Sequence, residues 1–196
     1  MKTKTFFAGL SLSLMTWLSG CVVLSLTPFC DKQAEIELPA INGEWQMLED
    51  NGSPKKQKPW VFKDGAVETF DDKGGTGSLK AVYFKIGDNV FLDSYPDNAD
   101  DSFTSGWWRM HLAPCHTVSK LALEGDRLVV TPLKADWLKK MIKEGKVSLP
   151  LAQDGKGEIA VYAATPAQWM DLLKRYGTDA GAFPTDAKFV FSRMKK

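Results

Sequence analysis

Cys115 and His116 are the adjacent residues whose types most invite chemistry. A thiol beside an imidazole can become a thiolate nucleophile. Successive side chains of a strand point to opposite faces, however, so this pair is badly placed for mutual contact. His116 opens a segment that reads as a strand, and hydrogen bonding to a nearby carboxylate or backbone group accounts for it. His111, His116 and Asp93 are metal-ligand types, but their spacing matches no metal motif. Asp97, Asp100 and Asp101 offer oxygens without the spacing of a calcium-binding loop, which favours a solvated acidic turn. No serine sits in a nucleophile elbow. Gly74-Gly75-Thr76-Gly77 lacks the lysine and the strand-to-helix setting of a phosphate loop. The expectation is a protein that is not an enzyme and carries no cofactor or metal. Cys30 and Cys115 remain once Cys21 is assigned below. In an oxidising compartment two such thiols tend to pair, so a Cys30–Cys115 disulfide is expected, with two separate thiols as the alternative.

The first residues carry chemistry of another kind. Lys2 and Lys4 precede an apolar run from Phe6 to Leu18, and Leu18-Ser19-Gly20-Cys21 follows. A positive start, an apolar core and small residues before a cut are the parts of an export signal. Leu18-Ser19-Gly20-Cys21 resembles the bacterial lipobox, which implies cleavage before Cys21 and a diacylglycerol on its thiol. Acyl chains bury many methylenes at about 0.8 kcal/mol each, so such an anchor is firm. The alternative is an uncleaved membrane span, since Thr5 to Phe29 carries no charge and about 20 apolar residues suffice to cross. Gly-Cys at this place favours the lipoprotein. In enterobacterial lipoproteins an Asp after the cysteine signals inner-membrane retention. Val22 stands there, so the resemblance implies the outer membrane. The expected organisation is a signal over 1–20, a lipidated tether over 21–41 and one domain over 42–196.

Without Lys2 and Lys4 the 25 basic residues fall to 23 against 24 acidic ones, a net charge of −1. No basic excess is present to neutralise phosphates, which argues against nucleic acid as a partner. The size suits one hydrophobic core.

The elements expected to position these residues are short strands. Ile41 to Met47 alternates polar and apolar residues, as a strand does. Trp60–Phe62 and Ala66–Phe70 flank Asp64-Gly65, a hairpin signal. Leu79–Lys85 and Asn89–Tyr95 flank Gly87-Asp88. Thr117–Leu123 and Leu128–Leu133 flank the clearest turn, Glu124 to Arg127. Trp137, Leu138, Met141 and Ile142 sit at helical spacing. Thr165-Pro166 reads as an N-cap followed by Pro at the first helical position, with Gly177 suited to the end. Lys188 to Arg193 reads as a last strand. Eight or nine strands joined by tight turns, with two helices near the C-terminus, predict a mainly β fold. An antiparallel meander or barrel would hide its edges.

Gly43-Glu44-Trp45 resembles the G-x-W signature that opens the first strand of lipocalins. In that family an arginine on a late strand packs across the tryptophan, and Arg193 stands where such a partner would lie. The T-D-Y triplet is absent and two helices precede the last strand rather than one, so the resemblance implies a lipocalin-like barrel. A broader likeness covers most of the domain. Val90 to Pro96, His116 to Leu123 with Asp126-Arg127-Leu128 and Asp136-Trp137-Leu138, and Ala163-Ala164-Thr165 resemble a family of bacterial lipoproteins of unknown function. That resemblance implies fold and location, and no activity.

Seven tryptophans are an unusual supply, and Trp17 belongs to the leader. Trp45, Trp137 and Trp169 lie in patterns that bury them. Trp107-Trp108 would place one ring inward and one outward on an extended chain, a candidate ligand mouth or partner contact, with burial under a helix as the plainer reading. Two functions follow as expectations. One is a membrane-anchored accessory protein that binds another envelope component. The other is a lipocalin-like binder of a small hydrophobic molecule or lipid, which needs a hollow barrel. Trp45, Phe84, Phe91 and Phe191 would fill that barrel if all pointed inward.

Overall fold

A computed structural model describes residues 22–70, 76–97, 114–153 and 160–195. Two short strands come first, β1 (Leu24–Ser25) and β2 (Glu35–Ile36). The chain then runs through β3 (Gly43–Met47), β4 (Trp60–Lys63), β5 (Ala66–Phe70), β6 (Thr76–Ile86), β7 (Asn89–Pro96), β8 (Thr117–Glu124) and β9 (Arg127–Pro132). Helix α1 (Ala135–Lys143), strands β10 (Leu151–Gln153) and β11 (Val161–Tyr162), helix α2 (Pro166–Tyr176) and strand β12 (Phe189–Arg193) follow. The helices therefore interrupt the meander after β9, and α1 lies in the middle part of the chain rather than near its end.

Strands β3 to β9 pair in sequence, all antiparallel. Strand β12 slots between β9 and β3, with Phe189 opposite Val130 and Phe191 opposite Met47. The eight strands close into an up-and-down barrel. Local sequence drives the hairpins. Asp64 and Gly65 both adopt positive φ, 50° and 78°, and a two-residue turn of that kind matches the twist of its strands. Strand β6 is long enough to serve three partners. Its first half pairs β5, its second half pairs β7 on one edge and β2 on the other. Strand β2 thus covers backbone that β5 leaves bare, which removes an exposed edge.

The period of two along each strand sorts the side chains into two clusters. Inside the barrel lie Trp45, Met47, Phe62, Val67, Ala81, Tyr83, Leu92, Leu121, Leu128 and Phe191, all buried, with Trp60 and Phe189 packed against them. Phe84 and Phe91 point the other way, into a second cluster on the outer face of β6, β7 and β8. Helix α1 contributes Leu138 and Met141 there, and α2 contributes Trp169, Leu172 and Leu173. Helix α2 starts as its sequence dictates. Thr165 accepts from the Gln168 N–H, Gln168 reaches back to the Thr165 N–H, and Pro166 opens the first turn. Gly177 has an ordinary right-handed φ of −64°. Its value is steric instead: an added Cβ would sit 3.0 Å from the Phe91 ring and 2.6 Å from the Leu173 carbonyl oxygen.

The segment 22–41 is not a free tether. Val23, Phe29 and Cys30 are buried in the outer cluster and Ile41 in the inner one. Val22 bridges Lys134, Ser25 bridges His116, and β1 pairs in parallel with β11. Lack of a regular period hid this, because a strap that crosses several elements buries residues where it meets each of them. Its buried apolar groups are irregularly spaced.

Candidate functional site

Two sites are built from residues far apart in the chain. The first closes one end of the barrel. The Arg193 guanidinium lies 4.3 Å from the Trp45 ring centroid, a favourable cation–π contact. It also donates to the carbonyls of Asn42, at 2.7 Å, and Ala40. Trp45 donates its indole N–H to Ile41 O at 2.8 Å. The single-turn helix Pro39–Ile41 is thereby pinned across the barrel end by both side chains. Gly43 completes the arrangement. Its φ is +138°, and a Cβ there would lie 2.8 Å from Arg193 Nη1. Glycine and tryptophan two residues apart are needed because one must yield to the arginine and the other must carry it.

The second site lies on the outer wall, where β7, β8 and the N-terminal strap meet. Asp93 is 1 % exposed, one of two buried polar residues with Ser25 among those described. Its Oδ2 accepts the Phe29 backbone N–H at 2.9 Å, and its Oδ1 lies 2.9 Å from His116 Nδ1. The Tyr95 ring packs on the imidazole at 4.4 Å. The His116 backbone exchanges both hydrogen bonds with Ser25, at 2.7 and 3.0 Å. Ser25 Oγ in turn accepts from the Trp169 indole N–H at 3.0 Å. The buried carboxylate therefore ties the strap to the barrel, and Ser25 ties the strap to α2.

An Asp–His pair is also part of a hydrolytic triad. Here, among the described residues, no hydroxyl or thiol is hydrogen-bonded to the remaining imidazole nitrogen. No three His, Cys, Asp or Glu side chains converge among those residues either. What the geometry does is clasp two layers together.

Cys30 and Cys115 do not form the expected disulfide; both are thiols. Cys30 turns into the outer apolar cluster, whereas Cys115 stays part-exposed before β8. Burial, then the charges of Asp93, Glu35 and Asp31, push the Cys30 thiol up to about 12. Burial also raises Cys115. Both shifts disfavour thiolate, so neither residue is an activated nucleophile at neutral pH.

Cys21, Trp107, Trp108 and His111 lie outside the described residues. Trp45 and Arg193 meet as described, and so do Asp93 and His116. The role of Asp93 toward the strap was missed from sequence. Its one signal is a lone acid directly after the apolar run Val90 to Leu92, a setting in which a carboxylate needs bonded partners.

Among the described residues, two open hollows flank the barrel. One, of about 440 Å³, lies between the β2 segment and β6, with Glu35, Glu37, Asn42 and Asp64 at its rim. The other, of about 660 Å³, lies over the outer side of β12, near Glu49, Asp50, Arg127 and Lys188. Among the described residues no helix is long and apolar enough to cross a membrane. Comparison with protein-family models, with curated proteins and with solved structures finds no match in any of the three.

Proposed function

We propose that this protein is a lipid-anchored envelope lipoprotein, attached through Cys21, whose barrel is a non-catalytic body that binds another envelope component. One observation carries the choice of a partner over a carried ligand. Trp45, Trp60, Phe62, Tyr83, Phe189 and Phe191 all pack inside the barrel. Interiors of such small barrels hold either their own side chains or one small ligand, and these six rings take the space. Recognition then falls to the outer surface, and Trp107 and Trp108, which the sequence singles out, are the candidate anchors.

The test uses intact cells. A photo-crosslinking residue replaces Trp107 or Trp108, and the same residue at Lys195 serves as control. A discrete adduct with one envelope protein from the Trp positions alone is the expected result. Crosslinking that is absent or equal at all three positions sinks the partner reading. Anchoring is checked separately with an alkyne-tagged fatty acid: the wild type takes up label and Cys21→Ser does not.

A second reading, a binder of a small hydrophobic molecule, has one observation in its favour. Trp60 Nε1 is buried, and among the described residues no acceptor meets it. A ligand with a carbonyl or hydroxyl near that N–H would relieve a cost of about 1–3 kcal/mol. Native mass spectrometry after mild extraction decides this reading, and a clean mass with no co-purified molecule ends it.

A further inference from the structure

We infer that the outer face of the three-stranded sheet β1–β11–β10 is a membrane-docking surface, whose occupant is the phospholipid bilayer that holds the lipid. The inference rests on the lipoprotein reading and goes beyond it, because an anchor by itself fixes no orientation. Length comes first. If Cys21 carries the lipid, nothing lies between it and Val22, and Val22 is bridged to Lys134 of the body. Consecutive Cα atoms are about 3.8 Å apart. The acylated residue therefore has no slack, and the bilayer lies against whichever face adjoins Val22.

That face is apolar in the right sense. Ser25 and Tyr162 are opposite each other in the β1–β11 pair and point inward, toward Trp169. By alternation Leu24, Leu26 and Val161 point outward. Leu26 is 42 % exposed, and Leu24 and Val161 beside it are half-buried. Only three large apolar residues are exposed among those described, and Leu26 is one of them; Leu151 is paired with Tyr162 and so projects toward the other side of the sheet. An exposed leucine five residues past a lipid attachment suits the boundary between headgroups and acyl chains. The Lys134 side chain adds a positive charge beside Val22, which favours anionic lipid. The third exposed apolar residue, Met194, follows β12 at the barrel end closed by Arg193, on a different part of the surface.

The experiment uses the full lipidated protein in vesicles of phosphatidylethanolamine and phosphatidylglycerol. Nitroxide labels are placed at Leu26→Cys or Met194→Cys in a Cys115→Ser background, Cys30 being buried. Docking predicts that the label at position 26 loses collisions with a water-soluble nickel chelate and gains them with oxygen once vesicles are present. The label at 194 stays open to the chelate. If vesicle-bound protein leaves both labels equally open to the chelate, the docking surface is overturned and the anchor stands. If the protein does not float with vesicles, or Cys21→Ser floats as well as wild type, the lipoprotein reading fails and this inference with it.

Discussion

Inside the barrel, Trp45, Phe62 and Phe191 stand on strands that are hydrogen-bonded along both edges in a closed ring. Outside it, Trp169, Phe29 and Leu138 are held by a strap, two helices and a two-residue strand drawn from distant parts of the chain. The two clusters share one wall. Strands β6, β7 and β8 give Tyr83, Leu92 and Leu121 to the inner one and Phe84, Phe91 and Val118 to the outer one. The two are secured in different ways. A closed ring needs no clasp, because every strand is fixed by its neighbours. The outer layer needs one, and it has two: the Asp93 carboxylate on the Phe29 N–H and His116, and Ser25 under Trp169.

The largest expected effects come from the two central tryptophans. Trp45→Ala and Trp169→Ala should each cost about 3–5 kcal/mol, as large aromatic truncations in cores do. Because the clusters share a wall, each variant should unfold in one transition. Urea titrations followed by near- and far-ultraviolet circular dichroism check this. If the two signals separate in Trp169→Ala, the outer layer is its own cooperative unit, and the barrel folds without it.

Next in size is the clasp. Asp93→Ala leaves the buried Phe29 N–H and the part-buried His116 without their shared acceptor, at a cost of about 3 kcal/mol. Amide exchange should rise over residues 23–30 and stay slow in β3 and β12. Equal loss of protection in both places would mean that Asp93 supports the whole molecule rather than one layer.

Arg193→Lys should cost about 1–2 kcal/mol, since a lysine keeps the charge over Trp45 but loses the planar fork that reaches two carbonyls. A change in the urea midpoint with unchanged slope would fit. No change would show that the barrel end is closed by its backbone alone.

The smallest effect at neutral pH is alkaline. Burial pushes Cys30 in the outer cluster and Tyr83 in the inner one up to about 12, from ordinary values of 9.0 and 10.0. Above those ordinary values the unfolded chain releases protons that the folded chain keeps. Stability is therefore complete below pH 9 and falls as pH rises toward 12, by about 1.4 kcal/mol per unit for each group. In a Cys115→Ser background, which takes out the other raised thiol, Cys30→Ala should remove the part that begins near pH 9 and leave the part that begins near pH 10. Denaturation midpoints between pH 8 and 11 measure it.

The barrel strands were readable because each is a local pattern. Alternation at Ile41 to Met47 and the Asp64-Gly65 turn are written within a few residues. The outer layer had a fainter sign. Ala81 to Phe84 and Val90 to Leu92 are apolar without a break, which marks strands covered on both faces. The Trp45–Arg193 contact was legible through its resemblance to a known signature. The Asp93 clasp was not, because Phe29 and His116 come to it from positions 64 residues before and 23 after.

The mainly β class, the hairpins and the start of α2 are set locally, since propensity, turn chemistry and capping act over short spans. Tertiary structure alone decided three things. It turned Phe84 and Phe91 outward, because a second layer was there to receive them. It drew residues 22–41 into the body, because a buried carboxylate and a parallel strand offered their backbone partners. It left Cys30 and Cys115 as separate thiols, because packing sent one into the apolar cluster and kept the other at its margin. Each of these depends on what lies opposite in space, and spacing along a chain does not encode that.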